Sequence, residues 1–140
     1  CDFCALSPTQ RKGILRKFHS ILKPSGYVLL DVYSLSAFEQ REESSTYERN
    51  LLNGFWSPNK YYGFLNTFKY IDEKVVLDKY TIVEAERTRC VYNWLQYFAP
   101  EELKKSFMEA NFKVDSLYSD VAGESYDQNT GEFAIVATKA

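Results

Sequence analysis

The first residues whose spacing suggests chemistry are two cysteines at the start of the chain. Cys1 and Cys4 form a Cys-x-x-Cys pair, a spacing found in zinc sites and in thiol redox sites. A structural zinc site needs four ligands, and the chain offers only Cys90 and a single histidine besides this pair. A metal or redox site and a pair of half-buried thiols near a strand end both remain open. We favour the thiols and predict no metal site.

Acidic and aromatic residues fall where two apolar segments end. Asp31 and Tyr33 close the apolar run 27–33, and Asp2 and Phe3 lie in the short apolar segment 1–6. In open α/β sheets, ligands bind outside the carboxyl ends of the strands. These residues are therefore expected on the ligand side, although Asp31 could equally cap a loop.

The segment from Ser7 to Tyr33 positions these residues. Ser7, Pro8 and Gln10 form a capping box with proline at the first helical position. Apolar residues then recur at helical spacing, at positions 14, 15, 18, 21 and 22. Arg11 lies on the opposite face, which we interpret as solvated. The turn Lys23–Gly26 ends the helix, with Gly26 available for a positive φ.

The remaining elements give an α/β fold class with an antiparallel part. The run 27–33 is apolar on both faces, which is typical of a strand in a parallel sheet covered by helices. Residues 34–53 are interpreted as a helix or loop followed by a flexible join. The other predicted elements are strands over 61–71, 75–86 and 90–98 in an antiparallel meander, a helix from Pro100, a strand over 113–121 and a central strand over 132–138.

Composition excludes several classes of function. The net charge is −2 and no basic block occurs, which argues against a surface that binds nucleic acid by neutralising phosphates. No apolar run reaches the roughly 18–20 residues of a membrane span. An odd number of cysteines, three, is typical of a reducing setting, so we expect a cytoplasmic location. At 140 residues we expect one domain, 1–140.

Aromatic residues are unusually frequent, at 16% of the chain, and many fall between Phe55 and Phe98. This excess is local and needs a local explanation.

The order of these elements resembles the C-terminal half of a class I, S-adenosylmethionine-dependent methyltransferase. The resemblance rests on Cys1–Ser7, on the Leu-Lys-Pro-Ser-Gly turn before the strand 28–31, and on Phe98-x-Pro-Glu-Glu-Leu followed by Ala110-x-Phe112. The closing segment 133–139 is similar to the last, antiparallel strand of the family. The resemblance implies a partial Rossmann-like methyltransferase fold. It also implies that the antiparallel, aromatic-rich β meander over 54–98 is a substrate-side insertion or lid.

The resemblance implies that the main cofactor loop lies before Cys1. That loop is glycine-rich in the family, and no Gly-x-Gly occurs in this chain. A start at Cys1 rather than Met also suggests a piece of a longer protein. Asp2, Phe3 and Leu6 are the positions that would border S-adenosylmethionine in the parent protein. We do not expect this chain to bind S-adenosylmethionine alone, and we expect it to be inactive alone.

The implied reaction is displacement of the sulfonium methyl group by a nucleophile of a small-molecule substrate. Asp2 and Tyr33 are the candidate catalytic residues. The candidate substrate-binding residues are Tyr33, Trp56, Tyr61, Trp94 and Tyr97. Aromatic side chains of this kind can line an apolar pocket or hold a cation, and they can equally form the core of a small sheet.

A second class of function stays open from the sequence. The chain could be a non-catalytic binding or oligomerisation module that uses the aromatic β meander. It could also associate with itself through an exposed sheet edge, since unpaired strand edges attract further strands.

Overall fold

The computed structural model describes residues 1–140 and divides them into two compact units. The first unit contains Cys1–Gln40 and Gln96–Ala140, and the second contains Arg41–Leu95. The predicted insertion over 54–98 overlaps the second unit, and the assignment of 1–140 to one domain stays a prediction. None of the helices has the length and apolar character needed to cross a membrane.

Helix α1 begins where the sequence predicts. It spans Pro8–Ile21, and the backbone N–H of Gln10 donates to Ser7 Oγ at 3.3 Å while the Ser7 N–H donates to Gln10 Oε1 at 2.8 Å. The strand end predicted before it is wrong. Residues Phe3–Ala5 form a 3-10 turn, because the N–H groups of Ala5 and Leu6 bond locally to the carbonyls of Asp2 and Phe3.

The turn after α1 uses its residues differently from the prediction. Ser25, not Gly26, adopts the left-handed conformation, with φ of 58°. Gly26 is needed for space instead, since a Cβ atom there would lie 2.9 Å from the carbonyl oxygen of Lys23. The Gly26 N–H donates to that same carbonyl at 2.9 Å.

The first unit is built on a three-stranded antiparallel sheet with strand order β1-β7-β6. The strands are β1 (Tyr27–Tyr33), β6 (Phe112–Tyr118) and β7 (Glu132–Lys139). The prediction that the last strand is central is confirmed. The prediction that β1 is buried on both faces is wrong: Val28 and Val32 are buried, whereas Leu29 is 51% exposed. β1 lies at the edge of this three-stranded sheet.

Two further helices belong to the first unit. α2 spans Leu35–Gln40 and begins after Ser34, whose Oγ accepts a hydrogen bond from the Ala37 N–H at 3.2 Å. α3 spans Pro100–Glu109 and buries Leu103 and Phe107 completely. Asn111 ends this helix in the left-handed conformation, with φ of 63°, as the sequence predicts.

The second unit is a four-stranded sheet with strand order β2-β3-β4-β5. The strands are β2 (Ser44–Arg49), β3 (Tyr62–Tyr70), β4 (Val75–Val83) and β5 (Thr88–Gln96). β3, β4 and β5 are the three strands of the predicted meander. β2 lies in the segment interpreted as a flexible join, and that interpretation is wrong because β2 pairs antiparallel with β3 from Ser44↔Thr67 to Arg49↔Tyr62.

One face of this second sheet forms the core of its unit. Leu51, Tyr61 and Ile82 are buried together on that face. Gly63 of β3 lies directly under Leu51, and a Cβ atom at position 63 would lie 2.5 Å from the Leu51 Cβ. On the same face, Asp78 is buried and accepts from Arg41 at 2.6 Å and from Thr67 at 2.7 Å.

The two faces of β1 and β7 can be distinguished by mutation. We expect Ile135→Ala to cost about 2–5 kcal/mol of unfolding free energy, because Ile135 is fully buried in the central strand. Leu29→Ala is the matched control on the exposed face of β1 and is expected to cost less than about 1 kcal/mol. Urea unfolding followed by circular dichroism measures both. Equal losses would show that the outer face of β1 is covered in solution.

Candidate active site

A groove of about 660 Å³ in the first unit is lined by residues of α1, β1 and the N-terminal segment. Its walls are mostly apolar and include Ile14, Phe18 and Leu30. The only charged side chains that line it are Asp2 and Asp31. Two carboxylates without a cation among the lining side chains make this apolar groove acidic.

The N-terminal segment places the three predicted cofactor residues at this groove. Asp2, Phe3 and Leu6 all line it. Asp2 is exposed, whereas Phe3 is buried with its ring centroid 5.9 Å from that of Phe98. The groove therefore brings together an accessible carboxylate and a fixed aromatic wall.

Arg11 holds this segment in place, which corrects its assignment to a solvated face. Its guanidinium group donates to the carbonyl of Leu6 and, at 3.3 Å, to Gln96 Oε1, and it lies 5.2 Å from the centroid of the Phe98 ring. Burial lowers the pKa of Arg11 from its ordinary value. The sequence could not reveal this role, because Gln96 and Phe98 are remote from Arg11 along the chain.

The structure pairs Cys1 and Cys4 as a disulfide, so the prediction of two thiols is wrong. The reason is local, since the 3-10 turn brings the two side chains together. Cys4 is buried, and its sulfur accepts from the Tyr33 N–H at 3.3 Å. The Cys1 sulfur lies 3.1 Å from the carbonyl oxygen of Asp31. The pair thus attaches the N-terminal segment to the C-terminal end of β1.

Nowhere in the chain do three or more His, Cys, Asp or Glu side chains group to hold a metal ion.

Tyr33 and Tyr97 lie together at the C-terminal end of β1. Their rings are stacked, with centroids 5.6 Å apart, and the other side of Tyr97 packs on Phe38 at 5.4 Å. The Phe98 N–H donates to the Tyr33 carbonyl at 2.9 Å, which joins the two segments. Tyr33 is half-buried and Tyr97 is buried. Neither residue lines the groove.

The other predicted substrate residues belong to the second unit, where they have different environments. Tyr61 is buried in the core, and its hydroxyl donates to the Leu51 carbonyl. Trp56 packs on Tyr80 with centroids 4.8 Å apart, and its indole N–H is buried without a hydrogen-bond partner. Trp94 is 46% exposed and contacts Tyr70 at 5.6 Å. For Asp31 the sequence allowed two interpretations, a residue on the ligand side or a loop cap. Asp31 lines the groove.

No protein-family profile matches the sequence, and a search of curated proteins finds no relative. Solved structures, in contrast, match the fold over nearly the whole chain. The CcbJ methyltransferase from Streptomyces caelestis gives a TM-score of 0.68 at 16% identity, covering 99% of this chain and 53% of its own. An S-adenosylmethionine-dependent methyltransferase from Clostridium acetobutylicum gives 0.66 at 9% identity, with coverage of 97% and 54%.

The chain has the fold of part of an S-adenosylmethionine-dependent methyltransferase. CalS10, an amino pentose methyltransferase from Micromonospora echinaspora solved with its cofactor, gives a TM-score of 0.51 at 16% identity and covers 99% of this chain and 54% of its own. The chain therefore spans about half the length of the methyltransferase structures that it matches. The fold predicted from the sequence is confirmed, and the share covered agrees with a C-terminal half.

The role of Arg11 in this methyltransferase fold can be tested by removing its donors. Arg11→Met keeps an unbranched apolar stem but removes the guanidinium group, so the Leu6 carbonyl loses its charged hydrogen-bond donor. We expect it to cost about 1.5–3 kcal/mol of unfolding free energy, the range for hydrogen bonds to charged groups. Lys17→Met on the exposed face of α1 is the matched control, with an expected loss of less than about 0.5 kcal/mol. Indistinguishable urea midpoints for the two variants would contradict the assignment.

Proposed function

We propose that this chain is the substrate-side half of an S-adenosylmethionine-dependent methyltransferase that acts on a small molecule. The observation that supports it is the apolar groove with Asp2 and Asp31 as its only charged side chains, in a chain with a methyltransferase fold. The chain contains no Gly-x-Gly loop. The main cofactor loop would therefore belong to the part of the parent protein that precedes this chain.

The groove residues fit the methionine end of S-adenosylmethionine. That end carries a sulfonium and an ammonium group, both cations, together with a carboxylate, and the bound cofactor supplies an electrophilic methyl group. Asp2 and Asp31 attract the positive charge, while the wall formed by Phe3 and Leu6 excludes water. Alignment of a reactive donor with its acceptor can supply several kcal/mol, up to about 7–11 kcal/mol in the ideal case.

A proton must leave the acceptor if the reacting group is a hydroxyl or a protonated amine. Asp2 and Tyr33 are the groups of this chain that we propose for that role. Asp2 is accessible, and the stacking of Tyr33 on Tyr97 fixes the Tyr33 ring at the end of β1. We propose Tyr33 as a substrate contact as well, whereas Trp56, Tyr61 and Tyr97 support the cores of their units.

The fold neighbours support a small-molecule acceptor. CalS10 is described as an amino pentose methyltransferase involved in calicheamicin biosynthesis.

Calorimetric titration of S-adenosylmethionine tests the division of the cofactor site. We expect no binding heat with the 140-residue chain, and one-to-one binding with the parent protein that includes the preceding segment. Micromolar binding by the chain alone would contradict the proposed missing loop. A parent protein that does not bind the cofactor, or a preceding coding sequence without a strand and glycine-rich loop, would overturn the proposed function.

Substitutions in the parent protein test the residue roles. We expect Asp2→Asn to weaken cofactor binding, because it removes one of two groove carboxylates. Tyr33→Phe is expected to lower kcat by about 10²-fold or more, with little change in cofactor affinity, if its hydroxyl transfers the proton. Asp72→Asn, at an exposed turn of the second unit, is the control for charge loss. Wild-type kinetics in both site variants would remove these residues from the site.

A further inference from the structure

The Cys1–Cys4 disulfide lies beside the groove and encloses two of the residues that line it. Asp2 and Phe3 are the residues between the two cysteines, and both line the groove. The sequence left a redox role for the Cys-x-x-Cys spacing open, and the proposed function makes no use of the pair. The state of this disulfide bears directly on the residues that form one wall of the groove.

The two sulfur atoms differ in how easily a reductant reaches them. Cys4 is 1% exposed, whereas Cys1 is half-buried. A thiolate attacks the sulfur that is accessible to it, so attack is directed to Cys1 and Cys4 becomes the leaving group. The Tyr33 N–H donates to the Cys4 sulfur at 3.3 Å. This donor stabilises the thiolate that leaves, because a hydrogen bond to a charged group favours the charged form.

The reduced pair would also have partners on β1. The Cys1 sulfur lies 3.1 Å from the Asp31 carbonyl oxygen, so a Cys1 thiol can donate its S–H there. The Tyr33 N–H remains available to the Cys4 sulfur after reduction. Each sulfur therefore keeps a backbone partner in both redox states, and reduction does not require β1 to rearrange.

The disulfide closes a very short loop, since the two cysteines are separated by 3 positions in the sequence. A disulfide stabilises a protein mainly by restricting the unfolded chain, and a short loop gives the smallest restriction. We therefore do not expect reduction to unfold the first unit, whose core contains Val32, Phe133 and Ile135. The main change is in the freedom of the segment between the cysteines.

We propose that Cys1 and Cys4 form a reversible thiol–disulfide exchange site whose reactant is a dithiol. A thiolate of the dithiol attacks the Cys1 sulfur, which breaks the Cys1–Cys4 bond and forms a mixed disulfide, and Cys4 leaves as a thiolate that takes up a proton. The second thiol of the dithiol loses its proton, closes the reagent's own disulfide and releases Cys1, which becomes a thiol. The pair gains two electrons and two protons in total, and the dithiol is oxidised to its disulfide.

Reduction changes the environment of Asp2 more than that of its neighbours. Two anchors do not depend on the disulfide, namely the bond from Arg11 to the Leu6 carbonyl and the contact of Phe3 with Phe98. Both lie on the C-terminal side of Asp2. The oxidised form holds the Asp2 carboxylate in place before a ligand arrives, which lowers the entropic cost of binding. This consequence for the cofactor rests on the proposed function, whereas the exchange chemistry does not.

Alkylation of the 140-residue chain tests the exchange itself. The native chain is equilibrated with reduced or oxidised dithiothreitol, denatured in iodoacetamide and weighed by mass spectrometry. The chain has three cysteines, and Cys90 is free and exposed. We expect one alkyl group after oxidation and three after reduction, and the control Cys90→Ser is expected to carry one group fewer in each case. Three groups after oxidation, or one group after treatment with excess reductant, would overturn the proposal.

Amide hydrogen exchange locates the structural change. The N–H groups of Ala5 and Leu6 are hydrogen-bonded within the N-terminal segment and serve as its reporters. We expect both to exchange about fivefold or more faster after reduction, while β7 keeps its protection. Cys1→Ser offers a hydroxyl to the Asp31 carbonyl in place of the thiol, and is expected to give the faster exchange with either reagent. Equal exchange in the oxidised and reduced chain would show that the disulfide does not hold this segment.

Calorimetry on the parent protein tests the effect on the cofactor. We expect S-adenosylmethionine to bind the oxidised form about fivefold or more tightly than the reduced form, with Cys1→Ser matching the reduced form and Cys90→Ser matching the unaltered protein. Equal affinity in both forms would overturn the control of the groove and leave the proposed function intact. Absence of binding in both forms would overturn the proposed function instead, while alkylation and hydrogen exchange still decide the exchange site.

Discussion

The pairing of β7 with both of its neighbours is the interaction on which the first unit depends. β7 bonds to β1 along Tyr27–Tyr33 and to β6 along Phe112–Tyr118, and its residues Phe133, Ala134, Ile135 and Ala137 are buried. Its last residue also closes the turn after α1, where Lys139 donates its N–H to Gly26 and its Nζ to the Leu22 carbonyl. The strand that carries Asp31 and Tyr33 is therefore positioned by its pairing with β7.

The groove lies along this strand and α1. An antiparallel pair needs only one covered face, so β1 can bury Val28 and Val32 while Leu29 remains accessible beside α1. Arg11 and the Cys1–Cys4 pair then hold the N-terminal segment against the end of β1. The two carboxylates of the groove are thus placed by contacts that lie outside the groove itself.

Elements that depend on residues close together in the sequence could be predicted. Elements and contacts that depend on residues far apart in the sequence could not. The capping box at Ser7, the apolar stripe of α3 and the continuous apolar run of β7 each act within a few residues, and each forms as predicted. β2 could not be predicted, because every residue of Ser44–Arg49 is exposed and the strand therefore has no apolar alternation. At the candidate site, the resemblance to the methyltransferase family led to Asp2, Phe3 and Leu6, and all three line the groove. The role of Arg11 could not be predicted, since its partners Gln96 and Phe98 come from the far end of the chain.

The alternation of residues on β3 does not by itself decide which face of the strand joins the core. On β3 the larger apolar residues alternate with Gly63, Leu65 and Thr67, and alternation of this kind predicts that the aromatic side is buried. The structure buries the smaller side instead, because Leu51 occupies the space above Gly63 at a distance that no side chain at that position could accept. A residue larger than glycine at position 63 would therefore clash with Leu51 on the core face of β3. Tyr62 and Phe64 are left pointing away from it, and the free energy of covering them is not used within one copy of the chain.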